Sequence, residues 1–132
     1  MKVVLDTNIF ISGIFWKGDS NKILLCWKEE QFKLVSSLEL IDELVNTLND
    51  FKIKMPDDMI SAWIDLIIKN SELVKIKNEL NLIKEDPADN KILETALIGD
   101  ASYIITQDKH LLNLYKFKNI KIIKPKEFLL LK

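Results

Sequence analysis

Hydrophobic residues fall into two patterns along this chain, and together they predict an alternating architecture. Short β-branched or apolar runs occupy Lys2–Leu5 (KVVL), Lys33–Ser36 (KLVS), 103–106 (YIIT) and Ile120–Ile123 (IKII), with a weaker candidate at 73–76 (LVKI). The first and last of the four are nearly continuously apolar. That predicts strands buried on both faces of a parallel sheet covered by helices.

Between the runs the period lengthens. Ile41, Leu44, Val45 and Leu48 share one helical face, with Ser36 and Ser37 placed before it as N-caps. A helix over 56–70 places Met59, Ile60, Trp63, Ile64 and Ile67 on one stripe, and Pro56 sits where a first turn tolerates it. Leu66 and Ile68 widen that stripe beyond what one core contact needs. Asp86-Pro87 opens a further helix through Ile92, Leu93, Ala96 and Leu97 to Gly99. Strands alternating with helices predict an α/β fold with a parallel sheet and right-handed crossovers.

At 132 residues, with 48% hydrophobic and 30% charged residues and three each of Gly and Pro, the chain is expected to form a single soluble domain over 1–132. There is no linker, repeat or low-complexity tract. No stretch approaches the ~20 apolar residues of a membrane span, and Asp6 interrupts the first apolar run too early for a secretory signal. The single cysteine, Cys26, has no intrachain partner, and its neighbours Ile23, Leu24 and Trp27 suggest a buried helical thiol. A cytoplasmic location is expected.

The net charge of −1 hides an asymmetry. Residues 1–108 carry 12 Lys against 19 acids, whereas residues 109–132 carry 7 Lys against Glu127 alone. There is no Arg, so any nucleic acid would be gripped by point charges that fix position more than sequence.

In parallel α/β sheets ligands bind beyond the carboxyl ends of the strands. Asp6 follows the first run and Asp108 the third; Glu43 lies on the helix after the second, and Asp86 and Asp89 open the helix before the third. Each has a structural role open to it. Asp6, Asp86 and Asp108 can cap helices, Asp89 suits a first turn, and Glu43 can be a solvated face residue beside Glu39 and Asp42. If the first strand is central, the five converge on one crevice. Carboxylates gathered there repel one another unless a cation offsets them, and an oxygen-only donor set selects Mg²⁺ or Mn²⁺ over Zn²⁺.

In order and over nearly the whole chain, MKVVLDTNIFISG, the acid in SSLELIDEL, DPADNKILETAL and YIITQD resemble PIN-domain ribonucleases, the toxins of type II toxin-antitoxin pairs. The resemblance implies a three-layer fold, a Mg²⁺- or Mn²⁺-dependent endoribonuclease, frequent homodimers and an antitoxin that blocks the site. It assigns Asp6, Glu43, Asp89 and Asp108 as catalytic, metal-binding acids, choosing Glu43 over Glu39 and Asp42, and adds Asp86 as a fifth. It makes Thr7, Asn8 and Thr106 groups that orient a carboxylate or a water. The expected reaction is in-line hydrolysis leaving 5′-phosphate and 3′-hydroxyl ends.

Lys109 heads a basic series, Lys116, Lys118, Lys121, Lys124 and Lys126, that can follow a phosphate backbone or form a solvated face. His110, the single histidine, is left out of the site because a metal can activate water without it. Phe15 and Trp16, with the wide 56–70 stripe, suggest a dimer or antitoxin surface. Two alternatives remain. One is a PIN-like module that binds without cutting; the other is a receiver-like signalling domain, for which Lys124-Pro125 is suggestive but adjacent acids after the first strand are missing.

Overall fold

Val3, Val4 and Leu5 have no solvent-facing side because the first strand lies inside a sheet with helices on both faces. The computed structural model describes residues 1–84 and 86–131. Its elements run β1 (Lys2–Leu5), α1 (Thr7–Phe15), α2 (Asp19–Lys28), β2 (Lys33–Ser36), α3 (Leu38–Asp50), α4 (Asp57–Lys69) and β3 (Ser71–Leu73). They continue as α5 (Pro87–Ile98), β4 (Tyr103–Ile105), α6 (Lys109–Leu112), β5 (Lys116–Phe117), β6 (Ile120–Ile123) and α7 (Pro125–Leu130). The sheet order is β3-β2-β1-β4-β6-β5, parallel except for the antiparallel β5–β6 pair.

Alternate strand residues feed the two sides of the sheet. Val3, Leu5, Leu34 and Ile105 pack with residues of α1 to α4 and α7; Val4, Val35, Ile104 and Ile122 pack with α5 and Leu111 of α6. The result is the expected three-layer arrangement. Gly13 lets α1 and α2 approach closely, since a Cβ there would lie 2.7 Å from Leu24 Cδ1 and 2.8 Å from Ser20 O. Phe128 of α7 is fully buried and meets Phe32 and Tyr103 edge-on at 5.5 and 5.8 Å, so the end of the chain is part of the core.

Four details differ from the sequence reading. The weak strand lies at Ser71–Leu73 instead of 73–76: Ser71 and Leu73 pair with Leu34 and Ser36, and the chain leaves the ladder after Val74 N–H donates to Ser36 O. Val74 packs against the core cluster on the α5 side of the sheet, and Ile76 is buried. Lys121 on β6 is exposed, so that strand is less enclosed than its apolar run suggested. Cys26 is half-buried. The sheet order also departs from the 2-1-3-4-5 order of receiver-type folds, with β2 and β3 both on one side of β1, which removes the receiver alternative.

Candidate metal centre

β1 is central, and its two neighbours β2 and β4 send the chain to opposite faces of the sheet. The crevice therefore opens where β1 and β4 end. Their register pairs Leu5 with Ile105, so Asp6 and Thr106 leave the sheet side by side, tied by Asp6 N–H donating to Ile105 O at 3.0 Å.

Asp6 is 5% exposed, and both its carboxylate oxygens are engaged. One carboxylate oxygen accepts from Thr7 N–H at 2.7 Å, capping α1; the other accepts from Asn8 Nδ2 at 3.0 Å and Thr106 Oγ1 at 2.6 Å. Thr106 Oγ1 in turn accepts from Asp108 N–H at 2.9 Å, and Asn8 Oδ1 accepts from Gln107 N–H at 3.3 Å. Thr106 and Asn8 thus bind the β1 and β4 exits together and fix the carboxylate of one against the backbone of the other. Asp108 caps α6 by accepting from His110 N–H at 2.8 Å. Asp89 enters from the first turn of α5, whose N-cap is Asp86, accepting from Ala88 N–H at 3.1 Å.

The capping roles and the converging roles coexist. Asp6, Asp89 and Asp108 each present an oxygen within 4.8 Å of the others. Glu43 and Asp86 line the same cleft, of about 550 Å³. Along α3, Glu43 is half-buried on the cleft side and Asp42 is exposed. A buried hydroxyl pair braces α3 against α5: Thr95 Oγ1 donates to Lys91 O at 2.7 Å, so Ser37 Oγ donates to Thr95 Oγ1 at 2.9 Å.

Electrostatics mark the cluster. Burial, then a hydrogen bond with the Asp108 side chain and the charges of Asp108, Asp86 and Asp6, pushes Asp89 up to about 8. Burial also raises Asp6, with Asp108 adding to it and hydrogen bonds from Thr106, Thr7 and Asn8 opposing it. Glu43 is raised by burial and by Asp6 and Asp86, against Lys91 and a hydrogen bond from the Thr7 side chain. Asp89 Oδ2 is buried with no hydrogen-bond partner. An all-oxygen donor set around an orphaned carboxylate oxygen fits a hard divalent cation.

Two residues in this region carry a role the sequence reading did not see. Asn90 and Glu94, one turn apart on α5, hold the loop that precedes Asp86. Asn90 Oδ1 accepts from Leu82 and Ile83 N–H at 2.9 and 2.8 Å, and its Nδ2 donates to Ile83 O at 2.6 Å. Glu94 accepts from four consecutive amides, Lys77, Asn78, Glu79 and Leu80. Burial acts to raise Glu94, but these amides outweigh it and hold its carboxyl below the usual range. The available signal was an acid inside the apolar run ILETAL. Lys109 is exposed at the start of α6, and the His110 side chain is half-buried.

A family model for the PIN domain matches residues 2–110, from β1 into α6. This chain belongs to the PIN-domain family. The match ends before the β5–β6 hairpin and α7, which complete the sheet and core of this PIN domain. Among solved structures the PIN domain is similar to VapBC2 from Rickettsia felis, a structure bound to a DNA fragment from its promoter. The TM-score is 0.60 at 18% identity, over 94% of this chain and 98% of that one, which supports the shared fold. No functionally curated protein matches the sequence.

Proposed function

We propose that this PIN domain is a divalent-metal-dependent endoribonuclease, acting as the toxin of a toxin-antitoxin pair in the cytoplasm. The observation that carries the reading is the meeting of Asp6, Asp89 and Asp108 around the unpartnered, buried Asp89 Oδ2. Asp6, Asp89 and Asp108 would hold Mg²⁺ or Mn²⁺, with Glu43 and Asp86 completing the acidic wall. When bound, such an ion lowers the pKa of water and offsets charge on a phosphate.

The chain's own groups do the rest. Thr106 and Asn8 hold the Asp6 carboxylate in its orientation. Glu43, half-buried on the cleft wall with its carboxyl raised by burial and by Asp6 and Asp86, would accept a proton from the attacking water. Lys109, adjoining Asp108, gives the phosphate backbone a point charge without selecting a base. The likeness to VapBC2 supports a protein partner, and Met59, 49% exposed on α4, supplies apolar surface for that partner or for a homodimer.

The products test the reaction. Cleaved RNA bearing 5′-phosphate and 3′-hydroxyl ends is expected; a 2′,3′-cyclic phosphate would contradict it, because that product uses the RNA's own 2′-hydroxyl as nucleophile and leaves the acid cluster no water to activate.

A further inference from the structure

The acid cleft has a second end. α1 and α3 each carry an acid at one point and an aromatic ring further along: Asp6 and Trp16 flank the two ends of α1, and Glu43 is followed by Phe51 at the C-cap of α3. Both rings line the same cleft as the carboxylates. α1 is nine residues long, which separates its ends by about 14 Å at a rise of ~1.5 Å per residue. Ile11, Ser12 and Thr47 lie along the cleft between the two ends, so it runs from acids through an uncharged middle to rings.

The rings are pre-ordered. Phe15 and Phe51 stack with centroids 4.8 Å apart, and Trp16 stands edge-on to them at 6.1 and 6.0 Å. Trp16 nevertheless remains 48% exposed. An indole fixed by its neighbours and left half open at the mouth of a charged cleft is suited to receive a flat ring. Lys52, adjoining Phe51, lines the same wall and supplies a cation for the phosphate beside such a ring.

We propose that Trp16 is a stacking site for an unpaired nucleobase, so that a nucleotide flanking the cleaved bond lies against the indole while its backbone runs down to the carboxylates. This rests on the endoribonuclease reading and adds to it the residue that reads single-strandedness. A paired base keeps its faces inside the duplex stack; an unpaired base offers one to the indole. Every base has such a face, so the site tolerates sequence, in keeping with a chain whose cations are all lysine. Losing one base–aromatic stack weakens binding by about five- to 150-fold.

The test is a double-mutant cycle between ring and base. The full chain in EDTA is titrated into a short fluorescein-labelled single-stranded RNA of mixed sequence, and into versions with one base at a time replaced by an abasic site. Trp16→Ala is expected to bind the intact RNA at least about fivefold more weakly than wild type, and Trp16→Phe to retain most of the affinity. At one abasic position wild type and Trp16→Ala should bind alike, because either change removes the same stack. In Mn²⁺, Trp16→Ala should raise KM with kcat kept. Unchanged KM for an RNA that wild type cuts, or a Trp16→Ala deficit undiminished at every abasic position, would overturn the stacking site and leave the nuclease standing. A shift from dimer to monomer on sedimentation, with RNA binding retained, would do the same by making the rings an interface between copies. RNA neither bound nor cut by wild type would remove both.

Discussion

Asp89 concentrates the charge repulsion in this molecule. It is 3% exposed, faces two other acids, and has one oxygen with no partner. Its folded pKa of about 8 lies above the ordinary aspartate value, so between roughly pH 4 and 8 the folded state binds more protons than the unfolded one. Stability of the metal-free protein is therefore expected to fall as pH rises through that window, with Asp6 and Glu43 contributing in the same direction. Glu94 has the opposite sign: its depressed pKa contributes stability above the ordinary glutamate range, lost as pH falls. Asp89→Asn should raise the Tm in EDTA at pH 8, flatten the fall above pH 5 and abolish cleavage; a lower Tm at pH 8 would count against charge repulsion at this site. Thr106 offers a quieter test. Thr106→Val removes the hydroxyl that joins Asp6 to Asp108 N–H and is expected to reduce cleavage about 10- to 100-fold, whereas Thr106→Ser keeps it, compared by initial rates.

The elements show why some of the site was legible in the sequence and some was not. Strands β1 and β4 and the start of α5 announce themselves by apolar runs and by Asp-Pro, so Asp6, Asp86, Asp89 and Asp108 stand at recognisable boundaries. Glu43 has no such marker. Helical periodicity leaves Glu39, Asp42 and Glu43 equivalent, and only the packing of α3 against α1 and α5 turns Glu43 toward the cleft. The β-branched Val74 and Ile76 predict strand beyond Leu73; in the fold Val74 packs on the α5 side of the sheet, Ile76 is buried, and the amides of the residues that follow are taken by Glu94. That makes α5 a two-sided helix, with Asp89 facing the cleft and Asn90 and Glu94 gripping the loop. Glu94→Gln replaces one accepting oxygen with a donor facing backbone N–H groups. It should destabilise the protein by about 2–4 kcal/mol and speed hydrogen exchange at Lys77, Asn78, Glu79 and Leu80; unchanged exchange there would show that the clamp is not what orders the loop.

Across the whole molecule, the topological switch beside β1 explains why the acids meet. Two chain directions diverge from adjacent parallel strands, and the ends of β1 and β4, with the first turn of α5, deliver three carboxylates from rigid backbone. The last segment, beyond the family match, closes this architecture through Phe128. Phe128→Ala should cost about 3–5 kcal/mol by leaving a cavity between Phe32 and Tyr103, read as a lower urea midpoint at unchanged m-value. A midpoint shifted by less than a third of that would mean α7 is an appendage and not part of the core. The acid cluster, by contrast, is built at the expense of stability. The most direct measurement is cleavage of a mixed RNA pool by wild type and Asp6→Asn, purified identically and without any partner, in Mn²⁺, in Mg²⁺ and in EDTA. Metal-dependent cutting by wild type, lost in EDTA and lost in Asp6→Asn, is the expected result; no metal-dependent cutting by wild type, or equal cutting by both proteins, would contradict a nuclease centred on these carboxylates.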